Sequence, residues 1–530
     1  MPPKYIKQPM SVNLAHYTDA ELRKVELAIN GVSESILAAG DLRRYGAISG
    51  TADSSAAFNA ALDKVGDNGV VIVIGSYRIS NIDLISNRVI DIRNGTLELT
   101  DPDTYMFKAA ENIDNITFIG GVLNGRIADA SPSGANKYGF WGAGCSNISF
   151  IDTVFDSFHE DGITLFEGST VVSGGYRTPC RNIRLSNVWI RRCGRNAMSI
   201  VNAKGVYGKF YCSESNDPHS YFIGPWAGVD IEPDNLNTLS DIDIEVDTWD
   251  NAGSGVAIYG LAVDVFESGN IRIKHNSKND LRGFRLGRWV DRSVGAELSV
   301  NYNGSIQDPS GTHAIMIDTI GGGISLDLKA TVLINNSSKF LVNMLKESPG
   351  GTYSNTPRLR CDIAAIGEID DLFTNQSIGQ IMSFNTVIKI DATALTVTAV
   401  GGQDNYAGRL EVVKTTLHPF ENARTATGNV IPVNVAFGER VNSNSGATGA
   451  ITLTLQNANF LTGQEAEFYV AAAQNLTIAI SDNTKKILGY NDFEIITNII
   501  GSRIRLKKES SGDWKVVSSP RGQAFNWAAT

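Results

Sequence analysis

The chain has little proline, little cysteine and no long apolar run. Only 15 of its 530 residues are proline, against 52 glycines, which points to many tight turns rather than to disorder. Its five cysteines (Cys145, Cys180, Cys193, Cys212 and Cys361) form an odd set without Cys-x-x-Cys spacing. That argues against a disulfide framework or a zinc site and for buried free thiols. No stretch approaches 18 consecutive apolar residues, so no membrane partner is expected. The first thirty residues, MPPKYIKQPMSVNLAHYTDAELRKVELAIN, lack the apolar core of a signal peptide, so synthesis in a cytosol is expected.

A net charge of −10 argues against broad nucleic-acid binding. The average hides a local reversal. Residues 176–209 hold eight cations, from Arg177 to Lys209, and no Asp or Glu. Residues 272–292 hold seven more against two acids. Between them lies GPWAGVDIEPDN (224–235), with Asp230, Glu232 and Asp234 in five positions.

What the chain does have is repetition. The short runs DGITLF (161–166), NAMSIV (196–201), AGVDIE (227–232), SGVAIY (254–259), RGFRLG (282–287) and HAIMID (313–318) alternate with period two. Their small second residues, at 162, 197, 228, 255, 283 and 314, are spaced by 35, 31, 27, 28 and 31. A second row reads NITF, NISF, NIRL, DIDI and NIRI, starting at 115, 147, 182, 241 and 270. Even spacing of short strands predicts a solenoid, one coil of a three-faced parallel β-helix per repeat. Stacked coils place equivalent residues in ladders about 4.8 Å apart. Ile163, Met198, Val229, Val256, Phe284 and Ile315 are expected to point inward, as are Leu165, Ile200, Ile231, Ile258, Leu286 and Ile317. The asparagines of the second row are expected to stack at a turn, their amides satisfying buried backbone.

The ends read differently. In RRYGAISGTADSSAAFNAALDKV (43–65), Phe58, Ala61, Leu62 and Val65 make an apolar helix face, with Ser54 or Ser55 as the cap. A helix there would cover the open end of a solenoid core. Upstream, TDAE (18–21) opens a second helix to about Leu37, within an attachment or neck segment spanning 1–42. The β-helix is expected over 43–400, with GGQDNYAG (401–408) as a boundary. Over 401–530, strands such as AITLTL and LTIAI predict a small antiparallel sandwich for trimerisation or carbohydrate binding.

YGAISGTADSSAAFNAAL resembles the N-terminal cap of the pectate-lyase-like right-handed parallel β-helix superfamily, bacteriophage tailspike proteins above all. Ser49, Gly50 and Thr51 stand where that pattern usually carries Gly-Asp-Gly. RNAMSIVNA followed by PWAGVDIEPDN resembles a paired-coil motif of tailspike depolymerases, and the C-terminal run resembles a sandwich at the ends of phage fibres. The resemblance covers roughly 43–520. It implies an all-β fold: a β-helix with a short helical N-terminal segment and a C-terminal β-sandwich. It also implies a homotrimer on a phage tail, other tail proteins as partners of the N-terminal segment, and a bacterial capsular or O-antigen polysaccharide as ligand.

For chemistry, Asp230 and Glu232 take the outward positions of one strand, about 7 Å apart along it. Such a pair suits an acid and a base, and the separation suits an inverting glycosidase slightly better than a retaining one. The ladder puts Thr164 and Ser199 on one side of Asp230, and Ala257 and Arg285 on the other, with Tyr259 beside Glu232's column. Trp226 is placed to stack on a sugar. His159, Glu160 and Asp161 sit at the mouth of a coil two steps away, with Arg195 between. The candidate catalytic residues are Asp230, Glu232, His159 and Glu160. The candidate substrate-binding residues are Trp226, Arg195, Asp161, Tyr259 and Arg285. No metal site or cofactor is called for, and no Gly-x-Ser-x-Gly nucleophile elbow is present.

Three functions fit these residues: a hydrolase, a lyase acting by β-elimination on a uronate, or a non-catalytic binding spike. The basic flanks favour an acidic glycan.

Overall fold

The computed structural model describes residues 37–131, 137–171, 177–216, 224–233, 238–259, 269–287, 298–311 and 313–317. From there to Ala529 it describes mainly strands. The 18–37 helix, the 401–408 boundary and Asp234 lie outside the described residues.

Two parallel sheets dominate, one of 15 strands and one of 11. The short sheet stacks Phe140–Ala143, Ile163–Phe166, Met198–Ile200, Val229–Ile231, Ser254–Tyr259, Arg282–Gly287 and His313–Ile317 in that order. The long sheet stacks Cys180–Arg191, Ala203–Ser213, Leu239–Trp249, Asn270–Lys278 and Leu298–Gln307. Consecutive members of each row are about one coil apart in sequence and hydrogen-bond in parallel, which makes the chain a parallel β-helix.

The register follows the alternation. Ile163 pairs with Met198, Met198 with Val229, Val229 with Val256, Val256 with Phe284, and Phe284 with Ile315. All six are fully buried, as is the Leu165-to-Ile317 row. Burying a side chain of this size is worth roughly 1.5–3 kcal/mol, so each coil is held mainly by its inner rows.

Two sheets appear where three faces were expected. Gly120–Gly121 and Asp152–Thr153 part the second and third runs of the early coils. In Cys180–Arg191 the runs join into one strand, with a register shift between Ser186 and Val188 at Asn187, whose φ is 55°. The turn asparagines also behave differently from expectation. Asn115, Asn147 and Asn182 take left-handed φ (54–55°), which Asn tolerates well. Asn115 and Asn147 are exposed and Asn182 half-buried, and they bond side chain to side chain, Asn115 Nδ2 to Asn87 Oδ1 at 3.0 Å and Asn182 Nδ2 to Asn147 Oδ1.

The cap helix is Ser55–Lys64, and it buries Ala57, Phe58, Ala61 and Leu62. Phe58 packs against Phe107 of the first coils, the rings tilted at 55° with centroids 5.5 Å apart. Neither serine caps it as expected. Ser54 Oγ bonds the backbone of Ile48, while Asp53 Oδ1 accepts from the Ser55 N–H (3.0 Å) and hydroxyl (2.6 Å). The long sheet runs on past 400 to Arg409–Val413. Beyond it lie a five-stranded and a four-stranded sheet. They are mixed rather than purely antiparallel, because Ile451–Leu455 runs parallel to Leu476–Ile480. All five cysteines are buried and free.

Candidate active site

The outward column of the short sheet reads Lys108, Trp141, Thr164, Ser199, Asp230, Ala257, Arg285 in hydrogen-bonded register. The part from Thr164 to Arg285 is the order the alternation predicts. Its middle is not open to solvent. Thr164 is 0% exposed, and Ser199 and Asp230 are 2% exposed. Outward on a β-helix is therefore not the same as exposed, because Asp161 and Asn196, just before the strands, bond Thr164, Ser199 and Asp230 across this face.

Asp161 and Arg195 anchor the cluster. Arg195 donates two parallel bonds to Asp161, Nε to Oδ1 at 2.9 Å and a terminal nitrogen to Oδ2 at 2.6 Å. Thr164 Oγ1 (2.9 Å) and the Asn196 backbone N–H (3.1 Å) complete the carboxylate's donors. A fork-to-carboxylate pair of this kind fixes geometry as well as charge. The Asp161 charge holds the Arg195 guanidinium protonated well beyond its ordinary range.

Asn196 carries the link to the next coil. Its Nδ2 lies 3.1 Å from Ser199 Oγ and 3.1 Å from Asp230 Oδ2, and its Oδ1 accepts from the Ala227 N–H at 2.9 Å. Asp161, Asn196 and Ala227 are equivalent positions of successive repeats, so the backbone N–H of each coil is received by the side chain of the coil before it.

Asp230 is pushed well above the ordinary carboxylate range by burial and, next, by the neighbouring Glu232 charge; Arg195 opposes this. Asp230 Oδ1 receives no donor among the described residues, yet Glu232 lies within hydrogen-bonding reach. Two carboxylates cannot bond each other, whereas a carboxylic acid can donate to a carboxylate, so Asp230, the raised member, is the one suited to hold a proton between them. The two carboxyls, two positions apart in the chain, are close enough that each feels the other's charge. Glycosidase carboxyls that work from opposite sides of a bond stand about 5–9.5 Å apart. Glu232 is half-buried and Pro233 buried, so Glu232 is the member that reaches the surface.

The remaining candidates divide. Glu160 is 6% exposed, accepts from the Lys137 N–H at 3.1 Å, and is raised by burial and then by Asp161. Tyr138 beside it is raised by burial and by the Asp161 and Glu160 charges. His159 is fully buried, not at a coil mouth. Tyr259 and Arg285 form a separate pair, the guanidinium 4.4 Å from the ring centroid, with Tyr259 packed on Ala227 and Ala257. Trp226 is half-buried at φ 48°, with Nε1 turned inward without an acceptor among the described residues. The structure therefore joins Asp161, Arg195, Asp230 and Glu232, sets Glu160 beside them, and leaves Tyr259 and Arg285 downstream.

The basic segments are not an unpaired flank. Arg191 and Arg192 both bond Asp156, Arg272 lies 3.7 Å from Asp243, and Lys209 and Lys274 grip Glu245 at 2.7 and 3.0 Å. Each partner comes from a neighbouring coil, so sequence distance hid the neutralisation. Asn196, Trp141 and Tyr138 are site residues that sequence reasoning missed. Equivalence of position 196 to Asp161 was the available signal for the first.

The architecture is that of a parallel β-helix. No protein-family model matches the chain, and no curated protein matches it. Solved structures similar in fold include a mannuronan C-5 epimerase module (AlgE6) of Azotobacter vinelandii, 14% identical, with a TM-score of 0.42 over 71% of this chain and 100% of that one. The pre-mature bacteriophage phi29 gene product 12 is 14% identical, with a TM-score of 0.36 over 82% of this chain and 66% of that one. A DFA-IIIase of Arthrobacter chlorophenolicus is 9% identical, with a TM-score of 0.40 over 70% and 94%. No described helix is long and apolar enough to cross a membrane.

Proposed function

We propose that the chain is a phage tailspike, homotrimeric on the virion, that binds and depolymerises an acidic bacterial surface polysaccharide by glycosidic hydrolysis. The observation that carries this reading is the Asp230–Glu232 pair: a buried carboxyl, raised above its ordinary range by burial and by its neighbour, beside a carboxyl that reaches the surface. In this reading Asp230 passes its proton through Glu232 to the glycosidic oxygen as that oxygen's bond to the anomeric carbon breaks, water adds to the carbon, and the proton the water loses returns to the pair. Arg195, Asp161 and Asn196 position Asp230. Trp226 and Tyr259 flank the point of contact with apolar ring surface.

Hydrolysis is favoured over β-elimination by one feature. Elimination needs a cation free to neutralise the uronate carboxyl, and Arg195, the cation nearest the pair, is already engaged by Asp161.

The test is incubation of the purified full chain with a panel of typed capsular polysaccharides. The expected result is new reducing ends without the ultraviolet absorbance of an unsaturated uronate, lost in Glu232→Gln. Absorbance at a conjugated double bond would replace hydrolysis with elimination. No cleavage of any polysaccharide, with binding retained, would make the chain a non-catalytic spike.

A further inference from the structure

The outward column holds a second group of residues on the N-terminal side of the carboxyl unit. Lys108 Nζ lies 4.3 Å from the Trp141 ring centroid and 5.9 Å from that of Tyr105. Tyr105 and Tyr138 both meet Trp141 edge-on, at 5.7 and 6.0 Å. The Tyr105 hydroxyl donates to Asp83 Oδ1 at 3.2 Å, which fixes the ring. Lys108, Trp141 and Tyr105 are all half-exposed. Lys108 has no carboxylate partner among the described residues, unlike Arg191, Arg195, Lys209 and Lys274. Asp83, in register with Lys108 on the neighbouring strand, is engaged by the Tyr105 hydroxyl, and a cation left on rings is suited to an incoming anion.

We propose that Lys108, Trp141 and Tyr105 form a distal subsite for a negatively charged sugar. This deepens the reading of the carboxyl unit as a glycan-cleaving site and rests on it for the direction of the chain. Trp141 stands three coils from Asp230, about 14 Å at the strand spacing, and Arg285 stands two coils beyond on the other side, about 10 Å. The advance per coil is close to the length one pyranose adds to an extended chain. A glycan running along the solenoid axis, above the covered Thr164 and Ser199, would have Lys108 on one side of Glu232 and Arg285 on the other. The rings supply flat apolar surface for sugar C–H groups, and the ammonium supplies the positive charge that pairs with an acidic sugar's carboxylate.

The experiment is affinity electrophoresis of the full chain in native gels cast with polygalacturonate, with its carboxyl-reduced form, or with hyaluronan. Retardation is expected in the acidic gels and not in the reduced one. Lys108→Met keeps the aliphatic stem over the rings and is expected to weaken retardation about tenfold, with a shallower dependence on salt. Trp141→Ala is expected to weaken it at least as much; a melting curve on each variant separates lost binding from lost fold. Equal retardation of wild type and Lys108→Met, or equal retardation by acidic and reduced gels, overturns the subsite. If Lys108→Met binds as wild type while Glu232→Gln abolishes cleavage in the capsule panel, the subsite is wrong and the active-site reading stands. If Lys108→Met loses retardation and no polysaccharide is ever cleaved, the subsite stands and the enzymatic reading falls.

Discussion

Two polar networks in this β-helix are built by one device and differ in one respect. Around Asp161 and Asn196, a side-chain oxygen in each coil receives the backbone N–H of the next, at 3.1 and 2.9 Å. Around Asn251 and Asp280 the same contact runs the other way, Asn251 N–H to Asp280 Oδ1 at 3.0 Å and Ser215 N–H to Asn251 Oδ1 at 2.9 Å. The second network is closed. Asp280 accepts from Thr248, Ser277 and Asn251, and His275 spans Thr248 Oγ1 (2.7 Å) and the Tyr302 hydroxyl (2.8 Å). One proton arrangement satisfies these groups: Thr248 donates to Asp280, His275 Nε2–H to Thr248, and Tyr302 to Nδ1. The first network ends instead in Asp230 Oδ1, aimed at a second acid that reaches the surface. A closed polar network fixes structure. One that ends in a shared proton at the surface is equipped for chemistry.

That contrast is broken most severely at its two ends. Glu232→Gln is expected to lower depolymerisation on the order of 10²–10⁴-fold with melting unchanged. Asp230→Asn should do the same with the fold intact, because an amide copies the protonated carboxyl: its oxygen accepts from Asn196 and its nitrogen donates to Glu232. Full activity in both variants would remove the pair from the mechanism. In the closed network, Asp280→Ala strands the donors of Thr248, Ser277 and Asn251 and is expected to cost about 3 kcal/mol or more, read as a lower denaturant midpoint. Turnover per folded molecule should not change.

How far this was legible in the sequence follows from what alternation encodes. Period two fixes which side chains point in, so the Ile163-to-Ile315 row and the Thr164-to-Arg285 column could be read residue by residue. It says nothing about what covers the outer face, so Asp230 and His159 looked accessible and are buried. Nor does it give the reach of side chains across coils. Arg195 was read as a cation facing substrate, yet its partner Asp161 lies 34 positions earlier and one coil away. Asn196 was aligned as the first residue of a strand, and its second role arises only when three coils are stacked. His275 and Asp280 fell within a segment read for its positive charge, and their partners Thr248 and Tyr302 sit in neighbouring coils.

Asn196 is where the open network can be weakened without touching its chemistry. Asn196→Ala removes the acceptor for Ala227 N–H and the donor to Ser199 and Asp230, all buried, which is expected to cost about 1–3 kcal/mol. Asn196 is a positioning residue, so the informative readout is a pH profile. Its Nδ2–H bonds favour the ionised form of Asp230, and without them the carboxyl holds its proton to higher pH. The alkaline limb of the activity profile should move upward. An unchanged profile with the same loss of stability would make Asn196 purely structural.

The smallest effect distinguishes the closed network by its pH dependence. Burial raises Asp280 to about 6 from an ordinary 3.8 and lowers His275 to about 3 from 6.5. The signs oppose. For Asp280 the native state holds a proton that the unfolded chain has released, so its contribution to stability falls as pH rises from about 3.8 to about 6. For His275 the unfolded chain takes a proton that the native state refuses, so its contribution falls as pH drops from about 6.5 to about 3. Between about 4 and 6 the two slopes cancel, at about 1.4 kcal/mol per pH unit each. Asp280→Asn removes one of them. The variant's deficit against wild type should therefore be largest near pH 4 and shrink by on the order of 1–3 kcal/mol by pH 6, measured as paired denaturant midpoints. A deficit constant across that range would mean that Asp280 is ionised in the folded protein throughout, with its charge held by the Thr248, Ser277 and Asn251 donors.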